Sequence, residues 1–156
     1  MSYFSDRFSG HSLFVSERNS HFATSLLLAR MIGRQLKEQG LHYASQYTLP
    51  VMGRYRRQLL DKDLGVYRYD GLVVLSRTRS AAVLLEAGSI INREEELLMS
   101  SPEHQSLMSA AVIDAVESFC AARRPRHPDR ARATAVAKPA FLLGAPTQAG
   151  VPAKPR

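Results

Sequence analysis

A carboxylate set directly after an apolar run is the strongest chemical signal in this chain: Ala82-Val83-Leu84-Leu85 leads into Glu86, and Ala87 and Gly88 follow. In an open α/β sheet the end of a strand faces the crevice where ligands bind. A carboxylate there is costly unless it is hydrogen-bonded or used. The small residues after it allow a substrate or metal to approach closely. The chemistry on offer is proton transfer, as general base and then general acid. The competing structural reading is a strand-end glutamate ion-paired with Arg77 or Arg79. A few residues on, Asn92 and Glu95 have the spacing of a capping box, in which Asn accepts from the N3 amide and Glu reaches back to the cap amide. That makes them a brace for the loop after Glu86 rather than catalytic groups.

Other site chemistries find little support. His11, His21, His42, His104 and His127 show no HxxxH, HExxH or paired spacing, and each reads as a surface or loop histidine. Cys120 is the single cysteine, which excludes an internal disulfide and a CxxC redox or zinc pair. The formal charge of +7 invites a nucleic-acid partner. Most of the excess, however, sits in Arg123, Arg124, Arg126, Arg130, Arg132, Lys138, Lys154 and Arg156, opposed only by Asp129. Basic residues interleaved with aromatics occur only at Gly53–Arg57 and Tyr67–Tyr69, which read equally well as solvated loops. No specific nucleic-acid recognition is expected.

A chain of 156 residues with 45% hydrophobic content fits one domain with a real core. Short branched apolar runs alternate with longer amphipathic stretches, which argues for an α/β fold. Ser12–Ser16, Leu72–Leu75 and Ala82–Leu85 are the predicted strands. Asn19 or Ser20 is placed to cap a helix carrying Phe22, Leu26, Ala29, Ile32 and Leu36 and stopping at Gly40. Tyr43–Asp70, broken by Pro50, Gly53 and Gly65, is expected to be irregular, a surface loop or groove wall. A short helix follows Asn92. Ser101-Pro102 then opens a last helix whose stripe of Leu107, Met108, Ala111, Val112, Ala115, Val116 and Phe119 should pack on the sheet. From Ala121 the composition turns to Ala, Pro and Arg, and the end of the chain reads as disordered. No apolar run approaches the roughly 18–20 residues of a membrane span. The opening MSYFSDRFSGH lacks a basic start followed by an apolar run, so no signal peptide is expected in this chain.

LLEAGSIINREEE resembles the segment of zinc-dependent N-acetylmuramoyl-L-alanine amidases (amidase_3 type) in which a strand ends in V-E-A/T-G/A and S-N-x-x-E follows. FSGHSLFVSERN is similar to the strand after that family's metal-binding histidine, and SLLLARMIGRQLKEQGL to its next helix. Met52–Arg56 and the Gly65-Val66 turn stand where the family carries the region before its last strand. The resemblance covers about residues 5–120 and implies the C-terminal part of the catalytic domain. It implies an incomplete, mixed, mostly parallel sheet flanked by helices, with a partial amidase-like catalytic domain at 1–121 and a disordered tail at 122–156. It also implies hydrolysis of the amide between N-acetylmuramic acid and L-alanine in peptidoglycan, in the periplasm or cell envelope. Glu86 takes the role of general base toward a zinc-bound water and then proton donor to the leaving amine. Ser89 and Ile90 depart from the family, which usually has an aromatic there, so no substrate contact is assigned to this loop.

The family's zinc ligands lie in a D-x-G-H-G-G turn, on a following helix, and in an S-x-H-x-N/D strand end, and none of these motifs occurs in this chain. Zinc is expected from the resemblance, but no residue is assigned to it. Three explanations stay open: a fragment of a longer enzyme, a truncated and inactive paralogue, or a partner subunit that supplies the metal. A non-catalytic module that binds peptidoglycan or a protein is the alternative function. Missing strands would leave apolar edges uncovered, so the isolated chain is expected to be marginally stable. Oligomeric state is not legible.

Overall fold

The computed structural model describes residues 5–124. Calls that fall on residues 125–156, the disordered tail and His127 among them, lie outside the described residues. The elements in chain order are β1 (Ser12–Val15), α1 (Phe22–Glu38), two 3-10 turns at Gln46–Thr48 and Pro50–Tyr55, β2 (Leu59–Asp61), β3 (Val66–Arg68), α2 (Val73–Arg77), β4 (Leu84–Glu86), α3 (Arg93–Met99) and α4 (Pro102–Arg123). The four strands form one sheet in the order β2-β3-β1-β4. This is the expected mixed sheet flanked by helices, but it is mostly antiparallel where a mostly parallel one was expected. Of its three ladders, β1–β3 is parallel, and β1–β4 and β2–β3 are antiparallel. The parallel pair is the one joined by a helical crossover, whereas β2 and β3 are joined by a short turn that permits only an antiparallel pair.

All four residues of β1 are buried, so this strand is the centre of the domain. Side chains alternate across a strand, and the two faces are distinct. Leu13, Val15, Val66 and Leu85 pack with Ala29, Ile32 and Leu36 of α1 and with Met108, Ala111 and Ala115 of α4. Phe14, Tyr67 and Leu84 lie on the other face with Tyr43, Tyr47, Tyr69, Leu72 and Leu75. The last helix packs mainly on α1, reaching the sheet beside it. Its stripe is buried at Met108, Ala111 and Ala115, whereas Val116 is exposed.

Leu72–Leu75 is part of a helix rather than a strand. Leu72 and Leu75 turn inward while Val73 and Val74 are exposed, an i,i+3 pattern and not an alternation. The Ser76 amide donates to the Leu72 carbonyl at 3.0 Å, closing the turn locally. The region expected to be irregular holds β2 and β3. Three-residue strands are too short to show a period, and Tyr67, fully buried, carries a hydroxyl that masks it as polar. Gly65 makes their connection possible: its φ is +67°, and a Cβ there would sit 2.3 Å from Tyr43 Cβ. The Ala82–Leu85 strand is shifted to Leu84–Glu86, which makes Glu86 its last residue.

Neither Asn19 nor Ser20 is the N-cap of α1. His21 holds that place without a side-chain cap bond. Asn19 instead accepts from the His21 amide at 2.7 Å and donates to the Leu75 carbonyl at 2.8 Å, tying the start of α1 to α2. The predicted stop is present, with Gly40 at φ +80°. Ser101 caps α4 by accepting from the His104 amide at 3.2 Å.

Asn92 caps α3, accepting from the Glu94 and Glu95 amides at 3.0 and 3.2 Å. Its Nδ2 donates to the Phe8 carbonyl at 3.1 Å. Replacing it therefore removes a cap and orphans a carbonyl. Asn92→Ala is expected to cost about 1–1.5 kcal/mol, read as a lower urea midpoint with unchanged m-value.

Candidate active site around Glu86

β4 pairs with the central strand, Ser12 opposite Glu86 and Phe14 opposite Leu84. Period-2 alternation puts Glu86 on the aromatic face with Leu84 and Phe14. There the Tyr47 hydroxyl donates to Glu86 Oε2 at 2.6 Å. Tyr47 is held edge-on against Phe14, with ring centroids 5.2 Å apart, and against Tyr67 at 5.6 Å. The Tyr67 hydroxyl donates to the Ala44 carbonyl at 2.6 Å, which fixes the segment leading to Tyr47. Burial, and then the hydrogen bond and charge of Glu86, push the Tyr47 hydroxyl well above its usual range. It therefore stays a donor at any physiological pH. Among the described residues no ion pair joins Glu86 to Arg77 or Arg79, so the structural reading of a strand-end salt bridge is replaced by a tyrosine contact.

The loop after Glu86 is clamped from below. Glu95 does not close the capping box onto Asn92. Its Oε1 accepts from the Gly10 amide and its Oε2 from the Ser89 amide at 2.7 Å, joining the approach to β1 with the loop after β4. Gly88 is small for this reason: a Cβ would meet Met99 Sδ at 2.8 Å and Glu95 Oε2 at 3.0 Å. Its size serves the clamp rather than the approach of a substrate.

His11 is not a surface histidine. It is 3% exposed, and neither ring nitrogen has a partner. Desolvation, then the neighbouring His42, lower its pKa to about 4. It lies one residue before Ser12, on the face opposite Glu86. Among the described residues no three His, Cys, Asp or Glu side chains come close enough to hold a metal.

The basic-aromatic stretches serve the fold. Arg57 stacks on Tyr69 at 4.2 Å and Arg54 on Tyr55 at 5.1 Å. Arg68 pairs with Asp70 and Glu17. Burial opposes ionisation of Asp70, but hydrogen bonds from Arg68, Ser16 and the Glu17 amide outweigh it and hold the carboxyl below its usual range. Tyr47 is the site residue that sequence reasoning missed, since nothing in its spacing links it to Glu86.

A four-stranded mixed sheet flanked by helices, with a carboxylate ending one strand on an aromatic floor, defines a mixed α/β domain. Residues 2–118 match the family Amidase_3, N-acetylmuramoyl-L-alanine amidase, and the chain belongs to that family. Its fold is similar to the apo form of the N-acetylmuramyl-L-alanine amidase Ami1 from Mycobacterium abscessus, at 20% identity and a TM-score of 0.59, over 74% of this chain and 50% of that one. Ami1 from Mycobacterium smegmatis is similar at 19% identity and a TM-score of 0.61, over 76% and 50%. The CwlD amidase from Clostridioides difficile, solved in complex with the GerS lipoprotein, is similar at 17% identity and a TM-score of 0.54, over 76% and 49%. The chain thus spans about half the length of these structures. No curated protein matches it in sequence. Among the described residues no helix is long and apolar enough to cross a membrane.

Proposed function

We propose that this chain carries the glutamate-bearing part of an N-acetylmuramoyl-L-alanine amidase site, acting on the amide between the lactyl group of N-acetylmuramic acid and L-alanine in peptidoglycan. The observation that carries this reading is Glu86, last residue of β4, with Oε2 held by Tyr47 inside the family-matched segment. Tyr47 engages one carboxylate oxygen and leaves the other to meet the reacting groups. Glu86 accepts a proton from water as the water oxygen bonds to the amide carbonyl carbon. It returns that proton to the nitrogen as the C–N bond breaks, so the alanine amine departs neutral. With peptidoglycan as its substrate, the proposed site of action is the periplasm or cell envelope.

Zinc in the family supplies Lewis-acid activation of water and carbonyl. The described residues do not fit it: no cluster of three ligands exists among them, and Glu86 is bonded to a tyrosine. No step here is routed through a metal, and any ligands would come from outside the described residues. The same observation favours a second reading, a remnant that binds peptidoglycan or a protein without cutting.

Zinc content per purified chain, with stem-peptide release from peptidoglycan measured on parent and Glu86→Ala, separates the two. About one zinc per chain and release lost in the variant supports the amidase. No zinc, no release and retained peptidoglycan binding supports the remnant.

Tyr47 acts through Glu86 and is a positioning residue. Tyr47→Phe is expected to lower kcat about fivefold to tenfold, the worth of one hydrogen bond, with KM little changed. A change in KM alone would give Tyr47 a substrate-binding role instead.

A further inference from the structure

We propose that the outer edge of β4 takes an added strand: an extended, uncharged peptide segment with branched apolar side chains on both of its faces. β4 ends the sheet. An open groove of about 540 Å³ runs along it, with Val83 and Leu84 in its floor. Binding in this groove requires no chemistry at Glu86 and does not rest on the proposed hydrolysis.

The Leu13 amide donates to the Gly65 carbonyl at 3.2 Å, and the Val15 carbonyl accepts from the Tyr69 amide at 2.8 Å, so both residues direct their backbone groups toward β3. Ser12 and Phe14, which alternate with them, therefore face β4, where they stand opposite Glu86 and Leu84. Leu85, opposite Leu13, is then the non-hydrogen-bonded position of the antiparallel pair. Its N–H and C=O point away from β1, and among the described residues no hydrogen bond takes them up. Open edges of this kind are normally blunted. β2, at the other end of the sheet, is blunted: its register shifts between Leu59 and Asp61, and Asp61 is ion-paired with Arg30 at 2.8 Å. β4 pairs without a register shift and contains neither proline nor lysine.

The walls of the groove decide what the strand must carry. Leu28 and Ile32 of α1 and Val116 of α4 stand on one side, and Leu72, Val74 and Leu75 at α2 stand on the other. Val74 and Val116 are exposed. Side chains alternate across a strand, so an added strand meets hydrocarbon with both of its faces. Among the described residues none that lines the groove is charged, and the one side-chain hydroxyl, that of Thr78, donates to the Val74 carbonyl at 2.6 Å. A lysine or glutamate entering here would lose its hydration without gaining a partner. A neutral segment gains the Leu85 main-chain hydrogen bonds together with apolar burial, the combination by which a peptide adds to a sheet edge. About five residues, a common strand length, would span β4.

The test uses the full chain labelled with 15N at leucine and titrated with the capped peptide acetyl-Thr-Val-Ile-Val-Thr-amide. The Leu85 amide reports the edge, and the Leu13 amide, bonded to Gly65, is the internal control. The peptide is expected to shift the Leu85 amide saturably and to slow its hydrogen exchange, leaving Leu13 still. The same peptide N-methylated at its central residues keeps the side chains and loses the strand donors, and it should bind about tenfold more weakly. The analogue with lysine in place of both valines should be weaker by about as much. Val74→Lys and Val116→Lys, both at exposed positions, should each weaken the parent peptide about tenfold in a chain that still folds. Absence of a saturable shift at Leu85, equal binding of either analogue, or binding unchanged in both variants would each overturn the proposal. Protection of Leu85 without peptide would overturn it too, and dependence of that protection on protein concentration would make the occupant a second copy rather than another segment of this chain.

Discussion

Glu86→Gln is expected to lower release of stem peptide from peptidoglycan by about 10²–10⁴-fold, the usual contribution of a positioned general acid-base. Glutamine keeps the shape of the side chain and a carbonyl oxygen that accepts from Tyr47, so the 2.6 Å contact has a direct replacement and thermal unfolding should be unchanged. What is lost is the capacity to take a proton from water and return it to the departing nitrogen. Glu86→Asp should lose most of the rate as well, by a different route: the shorter side chain withdraws the carboxylate from Tyr47 and from the reacting atoms. The comparison is made by quantifying released peptide at equal protein and metal concentrations. Equal residual rates in parent and Glu86→Gln would remove Glu86 from the reaction, and no release from either would leave the binding reading.

The position of Glu86 was legible because it depends on a local pattern, an apolar run that ends in a carboxylate. So were β1, α1, α3 and α4, whose length or caps speak in the sequence. Asn92 and Ser101 announce helix starts by chemistry that acts within three residues. The misreadings share a physical cause, since each concerns a group whose role is set by a partner far along the chain. Glu95 has the spacing to close a capping box, yet the Gly10 and Ser89 amides claim its oxygens. Asn19 has the right type for a cap, yet it is drawn to the Leu75 carbonyl. Leu72–Leu75 looks like a strand until Leu75 is seen filling the space beside Phe14 and Tyr67. Tyr47 is 39 residues from Glu86, and no periodicity connects them. The zinc expected from the family has the opposite status: the resemblance implies it, and the described residues offer it no cage.

Acidification from pH 7 to 5 is expected to cost the folded domain about 2 kcal/mol, with His11 as the cause. Its pKa falls from 6.5 to about 4 in the fold, first because burial disfavours the charged ring and then because the His42 side chain repels it, while the His42 backbone and, after it, Glu95 pull the other way. Between those two values the unfolded chain binds a proton that the folded chain refuses. Stability from this group is therefore fully present above pH 6.5 and declines as pH falls toward 4, at up to about 1.4 kcal/mol per pH unit. Asp70 does not confuse the measurement, because its lowered pKa places its contribution below the unfolded aspartate value of 3.8, outside the window. Urea unfolding of the parent at pH 7 and 5 should show the loss, and His11→Leu, which has nothing to protonate at that position, should show little of it. An equal loss in the variant would move the acid sensitivity to another group and leave the buried imbalance at His11 without energetic consequence. The loss in the parent alone would mean that the start of β1, the strand on which the whole sheet is assembled, holds a neutral imidazole in place against protonation.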